Sequence, residues 1–423
     1  MKERSLVYTI AALGMFSFVA SAVDWPQWRG PSRTGISKEI GLLKEWPAEG
    51  PKLLWQLKDI GDGYSTPVVA GARLYLLSNR GLDNEFVQAL SVEDGKQLWQ
   101  TRLGNVGNPD QIPSYPKARS TPTLDGDVMY ALGSDGDLAC LEIATGKIRW
   151  QKSLRKDFGG KPGKWAYAES PLVDGDTVIA TPGGSEATLV ALNKKTGALI
   201  WKAVVPEGDP AGYASVVAVD AAGRKQYIQF LDKGLVGVDA KTGQYLWRYN
   251  QTGKSAAANM PTPVVKDGYV YTAAQNTGGG LVNLKPSGTG VEAEQVYYTR
   301  DLPNRNGGST LLGDTLFGTN GMGLVAADFL SGKIKWQAEG VGPGSIFYAE
   351  DRLYVHGEDG EMLLAEANPE AYHEKGKFRP PDPPKHSGGG NGEKAWPYPV
   401  VSNGKLYIRD LSTLWCYDVK ASK

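Results

Sequence analysis

An eleven-residue pattern recurs along this chain and restricts the folds open to it. It runs from a small residue through a polar residue and a Thr/Ser/Asp-Gly pair to a tryptophan. The copies are Ala89 to Trp99 with Asp94-Gly95, Cys140 to Trp150 with Thr145-Gly146, Ala191 to Trp201 with Thr196-Gly197, Gly237 to Trp247 with Thr242-Gly243, and Ala326 to Trp336 with Ser331-Gly332. The indoles of Trp55, Trp99, Trp150, Trp201 and Trp247 fall 44, 51, 51 and 46 residues apart. The 89-residue gap from Trp247 to Trp336 holds one degenerate copy ending at Tyr297. Self-similarity at such a period marks a repeat architecture, in which one unit buries its apolar face only against its neighbours.

Each unit has one internal order. A Ser/Thr-Pro-apolar stretch (Thr66-Pro67, Thr121-Pro122, Ser170-Pro171, Thr262-Pro263) precedes a small turn such as Asp125-Gly126-Asp127. An alternating run follows, as in Tyr269-Val270-Tyr271, then an apolar run, the Thr-Gly turn and the Trp run. Short β-rich runs between Gly/Asp turns are antiparallel strands joined by hairpins. Four strands per unit make a propeller blade, and a proline at a strand's first position removes a donor only at its end. Unit starts fall near Tyr64, Arg119, Ala168, Tyr213, Met260, Gly307, Pro343 and Trp396. The prediction is an all-β, eight-bladed β-propeller of four-stranded antiparallel blades over residues 52–419. The eighth unit ends at Leu414 to Asp418 without a Trp strand, and Lys52 to Leu57 precedes the first unit unused. These two segments are expected to pair, closing the ring and removing two exposed sheet edges. Gly, Pro and β-branched residues are too dense for a helical solenoid.

Composition narrows the chemistry. Lys+Arg and Asp+Glu are 46 each, so no uniform cationic field for nucleic acid is expected. Two Cys exclude a disulfide scaffold, a Cys₄ iron–sulfur cluster and a covalent haem site, and His356, His373 and His386 have no metal-ligand spacing. Met1 to Arg4 is charged, Leu6 to Ala20 is apolar, and Ala20-Ser21-Ala22 is a small-residue end. This reads as a Sec signal peptide over 1–22, too short to span a membrane, and places the protein in the periplasm or outside the cell without a transmembrane segment in the mature chain. Residues 23–51 are an N-terminal extension.

The indoles read as structural wedges between blades, and the small first motif residue as the place where a neighbouring indole presses down. Cys140 and Cys416 occupy that position and are expected to be buried and unbridged. The Ala-x-Asn-x-x-Thr-Gly-x-x-x-Trp repeat resembles the tryptophan-docking repeat of the pyrroloquinoline quinone (PQQ)-like propellers, over about residues 50–419. The opening Asp24-Trp25-Pro26-Gln27-Trp28-Arg29-Gly30-Pro31 resembles the start of exported bacterial proteins of that family, and its tryptophans are expected on the outer rim or on one face. The resemblance implies two branches: quinoprotein dehydrogenases, which hold PQQ and calcium, and non-enzymatic propellers, among them the lipoprotein that assists outer-membrane β-barrel assembly. The dehydrogenase branch implies an adjacent Cys-Cys pair and a Glu/Asn/Asp calcium set. Neither motif is present, so no catalytic and no metal-binding residue is assigned and no cofactor is expected.

Long loops favour the face where inner strands begin, because long loops carry function more often than tight turns. The hydroxyl ring there (Thr66, Thr121, Ser170, Ser215, Thr262, Ser309 and Ser345, broken by Tyr398) reads as backbone satisfaction at strand starts. Beside it stand residues that repeat symmetry does not require: Tyr64, Arg119, Glu169, Tyr213, Arg305 and Asn306. They form the candidate ligand or partner site, with an Arg119–Glu169 ion pair as the plainer expectation. Residues 373–395 replace the seventh unit's Trp ending with a Pro- and Gly-rich stretch, expected to be an extended, mobile insertion loop. Together these features predict a monomeric, non-catalytic exported scaffold for a protein or cell-envelope partner. The alternatives are a PQQ- and calcium-dependent oxidoreductase and a carbohydrate-binding propeller in which Tyr64, Tyr213 and Trp165 stack sugars.

Overall fold

The computed structural model describes residues 24–110, 115–253, 258–288, 290–388 and 392–422. The expected signal peptide lies outside them. Eight sheets succeed one another around a central channel, and every blade has four antiparallel strands. Inner strands begin at Val68, Thr123, Leu172, Val217, Val264, Ser309, Gly344 and Val400, each shortly after its sequence start. Among the described residues one short helix, Leu154–Phe158, is capped by Ser153, whose hydroxyl accepts from Lys156 N–H, and by Gly159 in the left-handed region. Among the described residues no helix is long and apolar enough to cross a membrane.

The ring closes as expected. Lys52–Leu57 pairs antiparallel with Thr413–Asp418, in register Leu53↔Tyr417, Trp55↔Cys416 and Leu57↔Leu414. Both cysteines are buried and free.

The repeat residues have two jobs, one of which corrects the sequence expectation. The small residue faces its own blade's indole, not a neighbour's: Ala89↔Trp99, Cys140↔Trp150, Ala191↔Trp201, Gly237↔Trp247 and Ala326↔Trp336 are register partners. A Cβ on Gly237 would lie 2.2 Å from the Trp247 ring. The neighbour's indole instead lies on the glycine of the next blade's turn. Gly146, Gly197 and Gly243 have φ of +73°, +69° and +74°, and a Cβ there would come within 2.8 Å of Trp99, Trp150 and Trp201 respectively. The motif glycine thus serves both a left-handed turn and close ring approach. Four of the rings also donate across the blade boundary: Trp55 Nε1 to Val92 O (3.3 Å), Trp99 to Ile143 O (3.1 Å), Trp150 to Lys194 O (3.0 Å) and Trp336 to Asn368 O (2.9 Å). Tyr297 does the same with its hydroxyl, to Phe329 O at 2.8 Å, so the degenerate fifth copy keeps the contact with a different ring. Trp247 departs: the fifth blade replaces the Thr-Gly turn with a ten-by-ten-residue hairpin, and Trp247 donates to Gln226 Oε1 of its own blade.

Blade seven shows what happens without a tryptophan. Its outer strand is Glu374–Phe378, so the stretch 373–395 begins as sheet and not as loop. Gly376 stands opposite Leu364, and Trp46 of the extension lies against Gly376 and Phe378. The missing indole is supplied from elsewhere in the chain.

Candidate functional site

The extension decides what the channel can do. Residues 24–37 run through it and touch all eight blades, instead of lying on the outer rim. Trp25 exchanges backbone hydrogen bonds with Val69, and Leu124 N–H donates to Pro26 O, engaging blades one and two. Arg33 donates to the carbonyls of Ser170 (3.2 Å), Pro171 and Val216 (3.0 Å) of blades three and four. Trp28 Nε1 donates to Thr262 Oγ1 of blade five (2.9 Å), and its ring meets Tyr398 of blade eight edge-on. Arg29 donates to Ser309 O of blade six. Ile36–Ser37 adds a parallel strand to the inner strand of blade seven, Ile36 facing Tyr348. Local sequence makes this path possible. Gly30 has φ +80°, and a Cβ there would strike the Trp25 ring at 2.4 Å. Arg29 and Arg33 hold left-handed φ of 58° and 56°, strain that tertiary contacts must offset.

The plug leaves a recess on each face. The turn-face recess, about 410 Å³, lies between Ser32 to Thr34 and apolar inner-strand ends such as Leu172, Val217 and Leu311. Its charged groups are already used: Arg29 and Arg33 by backbone carbonyls, Asp174 by Lys225 and Tyr227, and Lys266 by Gly313 O and Asp314. The loop-face recess, about 290 Å³, is lined by Arg119, Tyr213, Arg305 and Asn306 of the predicted set, joined by Trp165, Trp396, Lys394 and Glu358. A further 100 Å³ lies below it, between Tyr64 and Tyr398, with Trp28 on its wall.

Five of the six predicted residues therefore line one connected funnel mouth. Glu169 is buried beside it, and the expected ion pair with Arg119 does not form. Glu169 Oε2 accepts from Ala168 N–H at 3.0 Å while Oε1 has no partner among the described residues, and burial pushes its carboxyl up to about 8. Arg119 lies 5.2 Å over the Tyr64 ring and donates to Tyr115 O at 2.5 Å. Burial lowers its pKa, opposed by the nearby Tyr64, Tyr213, Glu85 and Glu393. Tyr64 packs on Trp396 (4.8 Å), sits beneath Arg119, and donates to Glu393 Oε1 at 3.2 Å. Its ring is covered, which removes it as a sugar platform.

The hydroxyl ring is structural, as read from the sequence. The N–H of Tyr398 donates to Thr66 Oγ1 (3.1 Å), that of Thr66 to Thr121 Oγ1 (3.2 Å), that of Thr121 to Ser170 Oγ (3.0 Å), and that of Ser170 to Ser215 Oγ (2.9 Å). These four hydroxyls each stitch one blade to the next, and the Ser345 hydroxyl does so by donating to Trp396 O (2.7 Å), while Thr262 is taken by Trp28 of the extension.

The stretch after Phe378 is held to the rim and the mouth. Pro381 O accepts from Trp415 Nε1 (3.0 Å), His386 Nε2 meets Asp410 (2.8 Å), and Glu393 pairs with Lys117 (3.1 Å) and Ser387. It delivers Lys394 and Trp396 to the recess. Sequence reading passed over Lys394 and Glu358, although Lys394 sits just before an inner strand, as Arg119 does.

The family model described as outer membrane protein assembly factor BamB matches residues 37–164 and 83–338. The outer membrane protein assembly factor BamB of Yersinia pestis is 26% identical over 263 residues, covering 58% of this chain and 59% of that one. Tetrathionate hydrolase of Acidithiobacillus ferrooxidans is 22% identical over 339 residues, covering 76% and 62%. The crystal structure of BamB from Moraxella catarrhalis superposes with a TM-score of 0.61 at 17% identity, covering 88% of this chain and 98% of that chain, a likeness of fold. The chain spans between 31% and 63% of the length of three BamB relatives it matches. With a match extending over residues 37–338 of 423 and the eight-bladed ring to go with it, the chain belongs to the PQQ-like repeat propeller family described as outer membrane protein assembly factor BamB.

Proposed function

We propose that this chain is a non-catalytic scaffold of the cell envelope that holds a protein partner on its loop face, with Tyr213, Arg305 and Asn306 at the contact and Arg119 beneath it. One observation carries the reading: the channel is filled by the chain's own residues 24–37, and the remaining loop-face recess presents cations and aromatic rings to the outside. The relatives named as assembly factors support an envelope role. A photo-crosslinking residue at position 306 should capture a discrete partner in envelope preparations, while one at Leu199, exposed on the outer strand of blade three, should not. Equal capture at both positions would defeat the reading.

The likeness to tetrathionate hydrolase keeps a catalytic reading as its rival. The donor set fits a quinone–calcium centre poorly. Among the described residues no three His, Cys, Asp or Glu cluster as metal ligands, and the lining of the mouth carries three cations against Glu358. Dye-linked alcohol oxidation on adding PQQ and Ca²⁺ to the purified chain would reverse the ranking.

A further inference from the structure

Arginine buried in a protein normally finds acceptors, because each unmade hydrogen bond leaves a desolvation penalty standing. Deep in this molecule Arg409 follows the rule. Arg409, fully buried, donates to the carbonyls of Leu411, Ser65, Leu77 and Gly61 and to the Ser78 hydroxyl. At the loop-face mouth the arginines are only partly buried, and the fold supplies them with few acceptors. Arg119 has one acceptor, Tyr115 O. The Arg305 side chain makes no hydrogen bond or ion pair among the described residues, although its backbone N–H donates to Thr319 O, and its Nε is buried without a partner. Lys394 is likewise unpaired there, and Glu358, which shares the lining, lies beyond ion-pair distance of all three. Arg305 and Lys394 act on the Glu358 carboxyl, but burial outweighs them and raises its pKa, and the other acids nearby are engaged elsewhere. Glu393 is engaged by Lys117, Ser387 and Tyr64, and Glu169 is held protonated by burial.

We infer that the funnel mouth is a carboxylate-recognition pocket, in which Arg119, Arg305 and Lys394 receive a carboxylate presented between the rings of Trp165, Tyr213 and Trp396. The inference rests on the loop face being the binding face and names the chemistry it reads. A guanidinium offers paired N–H donors that match the two oxygens of a carboxylate, and a water-poor, aromatic-walled recess strengthens that pairing. A recess of about 290 Å³ admits an acidic side chain or a small carboxylic acid and excludes a folded element. The Trp165 and Tyr213 rings, 6.0 Å apart, form one wall, and Trp396, 6.2 Å from Tyr115, forms another.

The test is titration calorimetry on the full chain with two pairs of probes. One pair is an acetylated, amidated tripeptide with central Asp and its Asn isostere; the other is benzoate and benzamide. Saturable binding of at least one carboxylate, at least tenfold tighter than its amide, is expected. Tripeptide binding without benzoate binding would identify the source as a protein side chain, and benzoate binding alone would identify it as a small acid. Arg305→Gln and Lys394→Gln should each weaken binding severalfold, and the Arg119→Gln/Arg305→Gln double variant should abolish it with an unchanged circular dichroism spectrum. Arg119→Lys keeps the charge without the fork and should fall between, guarding against a misfolded double variant. Amides that bind as well as acids, no saturable binding of either acid at millimolar concentration, or variants that bind like the parent would each overturn the inference. Position-306 crosslinking that survives the double variant would leave the partner reading standing while the carboxylate pocket falls. Carboxylate binding without any crosslink would do the reverse.

Discussion

Inside the channel, Arg33 is nearly buried and spends its guanidinium on Gln27 and the carbonyls of Ser170, Pro171 and Val216, joining two blades to the plug. At the loop-face mouth a few strands away, Arg119 reaches one carbonyl and Arg305 none. The same side chain is a rivet in one place and an open hand in the other. Burial brings the Arg33 and Arg409 guanidinium groups down to about 9, so both stay charged at neutral pH, and their cost is met by main-chain dipoles instead of by carboxylates. What separates a structural arginine from a binding one here is the number of acceptors the fold already supplies, and the depth that goes with it: Arg33 and Arg409 are buried, Arg119 and Arg305 only partly.

The sharpest way to break that contrast is to remove a rivet. Arg409→Met and Arg33→Met each leave several buried carbonyls without donors and should cost at least about 3 kcal/mol by urea denaturation. A loss under about 1 kcal/mol would show that these arginines are not structural. Trp150→Ala, which deletes a docked indole and its bond to Lys194, should cost about 3 kcal/mol by the same measurement. Gly30→Ala places a methyl group against Trp25 in a left-handed backbone and should lower stability by roughly 1–3 kcal/mol, loosening the plug without touching either arginine.

Glu169 sharpens the comparison through pH. Its folded-state pKa is raised to about 8 from 4.5, so the native state binds the extra proton between those values. Stability from this group is complete below about 4.5 and declines as pH rises toward about 8. Glu169→Gln should flatten that decline, and the variant should melt higher than the parent at pH 9; a steeper decline in the variant would contradict the assignment. The smallest effect is expected at the mouth. Arg119→Gln and Arg305→Gln should change stability by less than about 1 kcal/mol, because few bonds are lost, while position-306 crosslinking falls. A large destabilisation would make these arginines rivets after all.

Much of the ring was legible from local chemistry. A Thr-Gly pair four residues before an indole specifies a turn, a strand and a docking glycine together, so blade number and closure followed from counting. The hydroxyls at strand starts were legible for the same reason. The candidate site was partly legible: Tyr213, Arg305 and Asn306 stood out because repeat symmetry leaves them unexplained. Lys394 and Glu358 were missed because both lie in blades seven and eight, where the repeat is broken and no register marks them. The Arg119–Glu169 pair failed for a physical reason. Glu169 is more cheaply buried protonated than charged, and Arg119 finds Tyr64 and Tyr115 first.

The sequence by itself determined that there would be eight blades, that the first strand would complete the last, and that indoles would mark the seams, because each of these is a nearest-neighbour property of the repeat. Only the tertiary structure decided where the extension goes. Trp25, Trp28, Arg29 and Arg33 lie within nine residues of one another, yet they meet partners in blades one, three, four, five, six and eight. A channel ringed by carbonyls and hydroxyls exists only once the ring has closed, and it is that assembled set of acceptors, absent from any local stretch, that draws the plug in and leaves the mouth's cations with few partners.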